Sequence, residues 1–231
     1  MAKKILIVDD EQPIVESIVN YLTAHEYETV TANNGLQAIE VYHATHPDLV
    51  LLDYNMPGMD GIAACRELRN QGVKVPILII TALSDDEIHM KARDSDADDF
   101  IPKPFENNFL KTIIDANLRR FRPATEGEAG EDVIQIGPLT LDVVGHEVRR
   151  GNEKIQLTPL EFTLLQTLAM NPRQVFTREV LLEKVWGYQY KADTRLVNVH
   201  IQRLRSKIEV DPDDPKIVTT VRGIGYKAGT N

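Results

Sequence analysis

The stretch Leu49-Val50-Leu51-Leu52-Asp53 decides the fold of the first half of this 231-residue chain. Four apolar residues in a row predict a strand that is buried on both faces, as the strands of parallel sheets are. The residues that follow include Asn, Pro, Gly and Asp, which are typical of turns and helix starts. A carboxylate at the carboxyl end of such a strand lies where open α/β sheets bind ligands. Asp53 is therefore the first candidate functional residue.

Three further apolar runs in the first half also end in polar side chains. Acids follow the run 5–8, a hydroxyl follows the run 77–80, and an ammonium follows the run 100–102. These side chains are Asp9, Asp10 and Glu11, then Thr81, and finally Lys103. Because parallel strands end at one edge of their sheet, we expect these groups to form a single site with Asp53.

Strand and helix patterns alternate along the first half. The alternation predicts βαβ units and a doubly wound α/β fold, in which a five-stranded parallel sheet carries helices on both faces. The predicted strands are 4–8, 28–32, 49–53, 76–81 and 99–102, and the predicted helices are 13–24, 35–44, 61–70, 85–93 and 105–120.

The second half has a different pattern, in which short strands precede helices. The predicted strands are 134–136, 139–143, 147–150 and 154–157, and the predicted helices are 159–170, 177–185 and one from Asp193 or Thr194 to 208. The helix over 159–170 has a strong start, with Thr158 as its cap and Pro159 in its first turn. A hairpin over 217–227 completes a pattern that predicts a winged helix-turn-helix.

The two halves differ in charge. The net charge is −9, and residues 1–122 hold 12 Lys and Arg against 20 Asp and Glu, whereas residues 123–231 hold 14 against 15. The segments 194–207 and 216–231 contain bases and no acid. The second half can therefore present a basic face to phosphate groups, while the first half would repel DNA.

An acidic stretch with Pro and Gly and without large apolar residues separates the halves. We expect a first domain over 3–120, a flexible linker over 121–131 and a second domain over 132–230. No apolar run is long enough to span a bilayer, and no signal peptide precedes the first strand. Cys65 is the single cysteine, which fits a reducing compartment. We expect a cytoplasmic protein without a membrane partner.

The clustered acids indicate a particular chemistry. Asp9, Asp10 and Asp53 repel one another unless a cation lies between them, and an all-oxygen ligand set favours Mg²⁺. Asp53 is then a plausible nucleophile for a phosphoryl group. Lys103 would neutralise charge, and the Thr81 hydroxyl could donate a hydrogen bond to a phosphoryl oxygen.

The helix predicted from Thr194 has one apolar face, while its Arg, Asn and Gln residues lie mostly on other faces. Arg can contact guanine, and Asn or Gln can contact adenine through two hydrogen bonds, so the helix suits readout of the major groove. Arg222 lies next to a glycine between two strands, where the tip of a wing could enter the minor groove.

Several motifs of the first half resemble the signature of response-regulator receiver domains. They are Val8-Asp9-Asp10-Glu11, Leu52-Asp53, Met56-Pro57-Gly58-Met59-Asp60-Gly61, Thr81-Ala82 and Lys103-Pro104-Phe105. The resemblance implies a CheY-like fold in which Asp53 is the phosphoacceptor and Mg²⁺ is the cofactor. By the same resemblance, Asp10 is a direct Mg²⁺ ligand, Asp9 acts largely through water, Asn55 offers its backbone carbonyl, and Lys103 pairs with the phosphoryl group. Thr81 and Phe100 are the implied switch pair, and the Lys103–Pro104 bond is expected to be cis.

The second half is similar to the winged-helix effector of the OmpR/PhoB subfamily. The similarity lies in Leu157-Thr158, Glu161-Phe162 and Leu164-Leu165, in the segment 195–205 and in Val221-Arg222-Gly223 with Gly225-Tyr226. It implies six DNA contacts, divided in an unknown way between bases and phosphates: Arg195, His200, Arg203, Arg205, Thr220 and Arg222. Leu196 and Asn198 replace a hydroxyl and an acid common in the family. We expect Trp186 to be partly buried in a loop that contacts RNA polymerase, the alternatives being a phosphate contact and a core residue.

Two segments depart from the receiver pattern. Residues 88–96 replace a more apolar run that normally ends in Gly, and Asp96 stands where that Gly is expected at a helix end. Ile113 stands where the family usually has an Arg that forms ion pairs between receivers. We hypothesise that the fourth helix is short or mobile and that receiver dimerisation is weaker or arranged differently.

Together these features predict a transcription regulator of a two-component system and not an enzyme. A sensor histidine kinase would phosphorylate Asp53, receivers would pair as a homodimer, and two effector domains would bind promoter DNA more tightly. One alternative is a phosphatase with an aspartyl nucleophile, although Asn55 occupies the position of the second acid that such enzymes need. The other is a constitutive DNA-binding protein with a vestigial acidic pocket.

Overall fold

The computed structural model describes residues 2–82, 95–120, 133–187 and 194–229. The chain divides into two compact units, residues 1–121 and 122–231. The predicted helix 85–93 and the predicted linker 121–131 lie outside the described residues. None of the helices in the described ranges combines the length and apolarity that a membrane span requires.

The first unit contains a five-stranded sheet in which every pairing is parallel. Its strands are β1 (Lys4–Val8), β2 (Glu28–Ala32), β3 (Leu49–Asp53), β4 (Ile77–Thr81) and β5 (Asp99–Pro102), in the spatial order β2-β1-β3-β4-β5. Every residue of β3 and β4 is buried, as the apolar runs predict. The structure confirms the doubly wound parallel sheet.

Four helices of the first unit lie in the described ranges. They are α1 (Gln12–Ala24), α2 (Gly35–Thr45), α3 (Gly61–Asn70) and α4 (Asn107–Arg120). Asn34 caps α2, and Asp60 caps α3 by accepting a hydrogen bond from the Ala63 amide at 2.7 Å. Cys65 is fully buried in α3, where it packs as a small core residue.

A buried ion pair holds the sheet edge at which β4 and β5 begin. The Arg69 guanidinium pairs with the Asp98 carboxylate, and Asp98 also accepts a hydrogen bond from the Ile77 amide at 2.8 Å. Arg69 donates three more hydrogen bonds to backbone carbonyls, those of Val73, Val75 and Asp96. Arg69 thereby ties the end of α3 to the strands that follow it.

Asp96 has an ordinary backbone conformation. Among the described non-glycine residues, positive φ occurs only at Glu26, His46 and His146, so the left-handed conformation expected at Asp96 is absent. The Asp96 carbonyl instead accepts a hydrogen bond from Arg69 Nε at 3.1 Å. The hypothesis about the fourth helix concerns residues 85–93, which lie outside the described part of the chain.

The second unit begins with an antiparallel sheet and continues with helices and a hairpin. The sheet contains β6 (Val133–Ile136), β7 (Leu139–Asp142), β8 (Glu147–Arg150) and β9 (Glu153–Ile155) in sequential order. The helices are α5 (Pro159–Ala169), α6 (Arg178–Leu181), which continues as a π-helical segment (Leu182–Trp186), and α7 (Arg195–Ile208). The hairpin consists of β11 (Val218–Val221) and β12 (Gly225–Ala228), and these elements confirm the winged-helix prediction.

One strand of the second unit was absent from the predicted elements. β10 (Phe176–Thr177) pairs with β12 and makes the hairpin a three-stranded sheet in the order β10-β12-β11. A Cβ at Gly225 would lie 1.9 Å from the Phe176 carbonyl oxygen, so only glycine permits this pairing. The strand is only two residues long, which is too short to produce an alternating pattern.

The predicted start of α5 is confirmed as a capping box. Thr158 Oγ1 accepts a hydrogen bond from the Glu161 amide, and the Glu161 carboxylate accepts one from the Thr158 amide at 2.8 Å. Glu161 is almost fully buried, and it also pairs with Lys207 Nζ at 2.8 Å. The start of α5 is therefore fastened to the last turn of α7.

Glu209 anchors the strand that enters the hairpin. Its two carboxylate oxygens accept hydrogen bonds from the backbone amides of Lys216, Ile217 and Val218, at 2.8 to 3.1 Å. Glu209 is buried, and each of these amides would otherwise need another acceptor.

Glu209→Gln is expected to lower the free energy of unfolding of the second unit by about 1–3 kcal/mol. The side-chain amide of glutamine would place an N–H donor against backbone N–H groups that need an acceptor. Trp186 is the only tryptophan of the chain and lies in this unit, so its fluorescence during urea unfolding isolates the relevant transition. Asp213→Asn, at an exposed position nearby, is the control. Equal midpoints for the two variants would contradict the anchoring role.

Candidate phosphoacceptor site and DNA-facing surface

The structure brings the three predicted acids together at the carboxyl edge of the sheet. Asp9 follows β1 and Asp53 ends β3, and both side chains are buried, whereas Asp10 is exposed. One carboxylate oxygen from each of the three residues lies within 4.8 Å of the others. Carboxylates at this spacing repel one another strongly unless a cation compensates them.

Lys103 supplies a compensating charge from the end of β5. Its Nζ lies 2.6 Å from Asp53 Oδ1 and 3.0 Å from Asp9 Oδ2. Burial lowers the pKa of the Lys103 ammonium, but the hydrogen bonds to Asp53 and Asp9 outweigh burial and hold this pKa above its ordinary value. The ammonium therefore stays charged between the two acids. The Lys103–Pro104 bond is cis, as the resemblance implies.

Backbone amides fix the second oxygen of each buried acid. The Asn55 amide donates to Asp53 Oδ2 at 2.7 Å, and the Glu11 amide donates to Asp9 Oδ1 at 2.8 Å. Burial raises the pKa of the Asp9 carboxyl, and the hydrogen bonds from the Glu11 amide and Lys103 oppose the rise only in part. Both carboxylates are thus oriented before any ligand arrives.

Gly61 permits the close packing beneath Asp53. A Cβ at Gly61 would lie 2.2 Å from the Asp53 carbonyl oxygen, inside the closest approach of real atoms. The turn between Asp53 and α3 is also closed by a hydrogen bond from the Gly61 amide to the Tyr54 carbonyl at 3.1 Å. The glycine of the Asp60-Gly61 pair is thus required by sterics.

The predicted switch residues lie on the adjacent strands β4 and β5, and β4 is in turn the neighbour of β3. Thr81 ends β4 and is almost fully buried, and its carbonyl accepts a hydrogen bond from the Lys103 amide at 2.6 Å. Phe100 lies in β5, where it pairs in register with Ile79, and its side chain is buried. The backbone of Thr81 is thus linked directly to the lysine that bridges the acids.

The donor set fits Mg²⁺. Asp9, Asp10 and Asp53 offer only oxygen atoms, which Mg²⁺ prefers, and Asp10 is open to solvent as a site that retains water requires.

In the second unit, α7 exposes a narrow polar face. Arg195, Gln202 and Ser206 are exposed, and Asn198 and Lys207 are half-buried. Arg195, Asn198, Gln202 and Ser206 recur every three or four residues, so they share one side of the helix, whereas Lys207 lies off this side and pairs with Glu161. Of the predicted contacts on α7, Arg195 alone belongs to this exposed set.

Three other predicted DNA contacts on α7 are buried. His200 has no exposed surface and packs edge-on against Trp186, with ring centroids 5.2 Å apart, so it cannot reach DNA in this conformation. Arg203 and Arg205 are less than one tenth exposed. The sequence suggested outward-facing bases at these positions because helical periodicity does not reveal that several elements surround α7.

Arg205 connects α7 to the hairpin. It donates to the Val218 carbonyl at 2.9 Å and to Thr220 Oγ1 at 2.8 Å, and its guanidinium lies 5.6 Å from the Tyr226 ring centroid. Burial lowers the pKa of the Arg205 guanidinium, while Tyr226 and Glu209 oppose this change. Its position supports a structural role in place of a direct DNA contact.

The hairpin tip is exposed, as predicted for a wing. Arg222 and Gly223 are exposed, Gly223 has φ +76°, and 52% of Ile224 is accessible. Thr220 is exposed on β11. Trp186, by contrast, is fully buried, so the expectation of partial burial was wrong and the core alternative is correct.

Arg178 and Tyr226 are functional candidates that were not predicted from the sequence. Arg178 starts α6 and donates to Asn198 Oδ1 at 2.7 Å, and the Tyr226 hydroxyl donates to the same oxygen at 2.8 Å. The motif Gly225-Tyr226 was the only available signal for Tyr226, and nothing in the local pattern marks Arg178.

Comparisons with known proteins agree with this architecture. Residues 5–115 match the family model of the response regulator receiver domain, and residues 151–228 match that of the transcriptional regulatory protein, C terminal. The chain is 48% identical over 229 residues to the DNA-binding response regulator MtrA of Mycolicibacterium smegmatis, covering 99% of this chain and 98% of MtrA.

Solved structures give the same result. A RitR mutant matches with a TM-score of 0.79 at 30% identity, and the Thermotoga maritima OmpR/PhoB homologue DrrB matches with a TM-score of 0.50 at 29% identity. Each match covers 100% of both chains.

A receiver domain followed by a transcriptional regulatory domain defines a response regulator. This chain belongs to the OmpR/PhoB-type response regulators, and it is a phosphorylation-controlled transcription regulator. The resemblance stated from the sequence is confirmed.

Gly61→Ala is expected to destabilise the first unit by about 1–3 kcal/mol, because the new Cβ must displace the main chain at Asp53. An unstrained Gly→Ala change would instead stabilise a protein by about 0.4–1 kcal/mol. Calorimetry of the full chain measures the change, with Trp186 fluorescence identifying the transition of the second unit. Stabilisation by the alanine would show that the turn has room for a side chain.

Proposed function

We propose that Asp53 accepts a phosphoryl group from a sensor histidine kinase. The observation that carries the proposal is the Lys103 ammonium, which lies within 3.0 Å of both Asp53 and Asp9 at the carboxyl edge of the sheet. A phosphoryl group that binds Asp53 adds negative charge to the pocket, and the Lys103 ammonium is already positioned there to compensate it. This arrangement is electrostatically suited to phosphoryl transfer.

The residues of the pocket have distinct roles in the proposed reaction. A carboxylate oxygen of Asp53 forms a bond to phosphorus while the bond from phosphorus to the donor nitrogen breaks. The Asn55 amide orients Asp53, and Lys103 stabilises the charge of the phosphoryl oxygens. The Thr81 hydroxyl, at the end of the neighbouring strand, donates a hydrogen bond to the product.

Asp9, Asp10, Asp53 and the backbone carbonyl of Asn55 would hold Mg²⁺. When bound, this ion supplies charge neutralisation for the acids and the phosphoryl oxygens. Asp10 is the direct ligand that remains open to solvent, and the buried Asp9 acts largely through water.

Phosphorylation then changes Thr81 and Phe100, which lie on adjacent strands, and promotes receiver pairing. Ile113 of α4 is buried and uncharged, so it cannot form the ion pair that the Arg usual at this position forms between receivers. The homodimer therefore relies on other residues. Pairing raises the local concentration of the second effector domain near promoter DNA. The linker 121–131 tethers the domains, and the protein works in the cytoplasm, where kinase, DNA and RNA polymerase are its partners.

The second domain binds double-stranded promoter DNA through α7 and the wing. Among the contacts implied by resemblance, Arg195, Thr220 and Arg222 are exposed and suit this role, and the burial of His200, Arg203 and Arg205 favours a supporting one. Gln202 joins the exposed set. MtrA, to which the chain is similar, is described as DNA-binding.

Exposure to acetyl phosphate and Mg²⁺ is expected to add the mass of one phosphoryl group to the full chain, as measured by intact-mass spectrometry. Asp53→Asn is expected to abolish the adduct, because an amide is not a nucleophile for phosphorus. Asp48→Asn, at the opposite end of β3, is the matched control and should label normally. Removal of Mg²⁺ with a chelator should prevent labelling of the wild type.

The same samples separate the proposal from its alternatives. Continuous release of phosphate from an added phosphate ester would instead indicate a phosphatase. DNA footprints that are identical for wild type and Asp53→Asn, with and without acetyl phosphate, would indicate constitutive binding.

Arg222→Ala is expected to reduce the slope of log affinity against log salt by about 1, because one phosphate contact is lost. Arg205→Met, by contrast, should lower the stability of the second unit by about 1–3 kcal/mol, because it removes the buried hydrogen bond to the Val218 carbonyl and the hydrogen bond to Thr220. Salt titrations of DNA binding and urea unfolding followed by Trp186 fluorescence measure the two effects. An unchanged salt slope for Arg222→Ala would exclude the wing as a phosphate contact.

A further inference from the structure

The side-chain amide of Asn198 is held by donors from two other elements. Arg178 Nε, at the start of α6, donates to Asn198 Oδ1 at 2.7 Å. The Tyr226 hydroxyl, from β12, donates to the same oxygen at 2.8 Å. One oxygen atom thus joins α6, α7 and the hairpin.

The hydrogen-bonding capacity of Arg178 determines which end of the Asn198 side-chain amide faces inward. A guanidinium nitrogen only donates hydrogen bonds, so the atom opposite Arg178 Nε has to be the oxygen. A flipped amide would place its own N–H group opposite the Arg178 N–H donor and lose that hydrogen bond. The orientation of Asn198 therefore follows from its partners and needs no other assignment.

Because Asn198 Oδ1 faces the protein interior, the Nδ2 donor of the same amide faces outward. Asn198 Nδ2 has no hydrogen-bond partner among the residues that the structure describes, and Asn198 is half-buried between the exposed residues Arg195 and Gln202 on one face of α7. Because Oδ1 already accepts two hydrogen bonds, the two-bond adenine contact expected from the sequence would require it to accept a third.

We infer that Asn198 is a specificity-determining residue that reads a hydrogen-bond acceptor of a base in the major groove through its Nδ2–H donors. The acceptors available there are guanine O6 and N7, adenine N7 and thymine O4, whereas cytosine presents a donor. The inference rests on the proposed function, in which α7 is the helix that reads DNA. Reading residues of such helices lie in the N-terminal part, and Asn198 is the fourth residue of α7.

Asp at this position is the informative variant. It keeps an oxygen for both Arg178 and Tyr226, so the network that joins the three elements survives. Arg178 makes no ion pair with a carboxylate within the described ranges, so a charged partner suits it. Only the outward-facing group changes: the Nδ2 hydrogen-bond donor of Asn198 is replaced by a carboxylate oxygen, which is an acceptor.

The test compares base preferences of the full-length protein after treatment with acetyl phosphate and Mg²⁺. Wild type, Asn198→Asp, Asn198→Ala and Gln202→Ala each select from a randomised double-stranded DNA library, and affinities are then measured for every single-base change of the preferred site. Asn198→Asp is expected to shift the preference at one base pair toward cytosine or adenine, whose amino groups donate, by about tenfold relative to wild type. Asn198→Ala should flatten the preference at that base pair.

The readout is relative preference, because an added carboxylate near phosphates weakens binding to every sequence. If Asn198→Asp and Asn198→Ala weaken all sequences without changing any preference, while Gln202→Ala alters a neighbouring base pair, this inference is overturned and the role of α7 stands. If none of the variants changes a preference, α7 is not the reading helix and the proposed DNA-binding mode fails with it. Trp186 fluorescence during urea unfolding verifies that each variant is folded.

Discussion

The ammonium of Lys103 between two buried carboxylates is the interaction on which the first unit depends. Asp9 follows β1 and Asp53 ends β3, two strands that pair with each other, and their charges would push these strand ends apart without a cation. Backbone amides hold the remaining oxygens, so the pocket is oriented in advance for a doubly charged ligand. The parallel sheet provides the edge, and Lys103 makes that edge stable with its acids ionised.

The same principle recurs in the second unit, where single side chains fasten several elements. Glu161 begins α5 and pairs with Lys207 at the end of α7, and Arg205 joins α7 to the hairpin. The Glu209 carboxylate accepts hydrogen bonds from three backbone amides where the chain enters β11. Buried polar groups must satisfy their hydrogen bonds, so these contacts fix the orientation of α7 more narrowly than apolar packing alone would.

Much of this architecture could be predicted because buried parallel strands have continuous apolar sequences that end in recognisable polar residues. The predicted strands of the first unit lie within one residue of the observed ones, and Asp9, Asp10, Asp53 and Lys103 converge as expected. The errors concern the short strand β10, the burial of Trp186 and, above all, α7. A helix that is packed on several sides buries long polar side chains, and neither charge nor periodicity distinguishes an inward Arg205 from an outward Arg195.

The layout of α7 has an evolutionary consequence. Arg203 and Arg205 are built into the interior, so these two positions tolerate few replacements whatever operator is recognised. Gln202 is exposed and has no hydrogen-bond partner among the residues that the structure describes, so this position can drift after gene duplication. Two paralogues could thus share nearly the whole helix and still regulate different genes, and overall similarity along this segment would be a poor guide to shared targets.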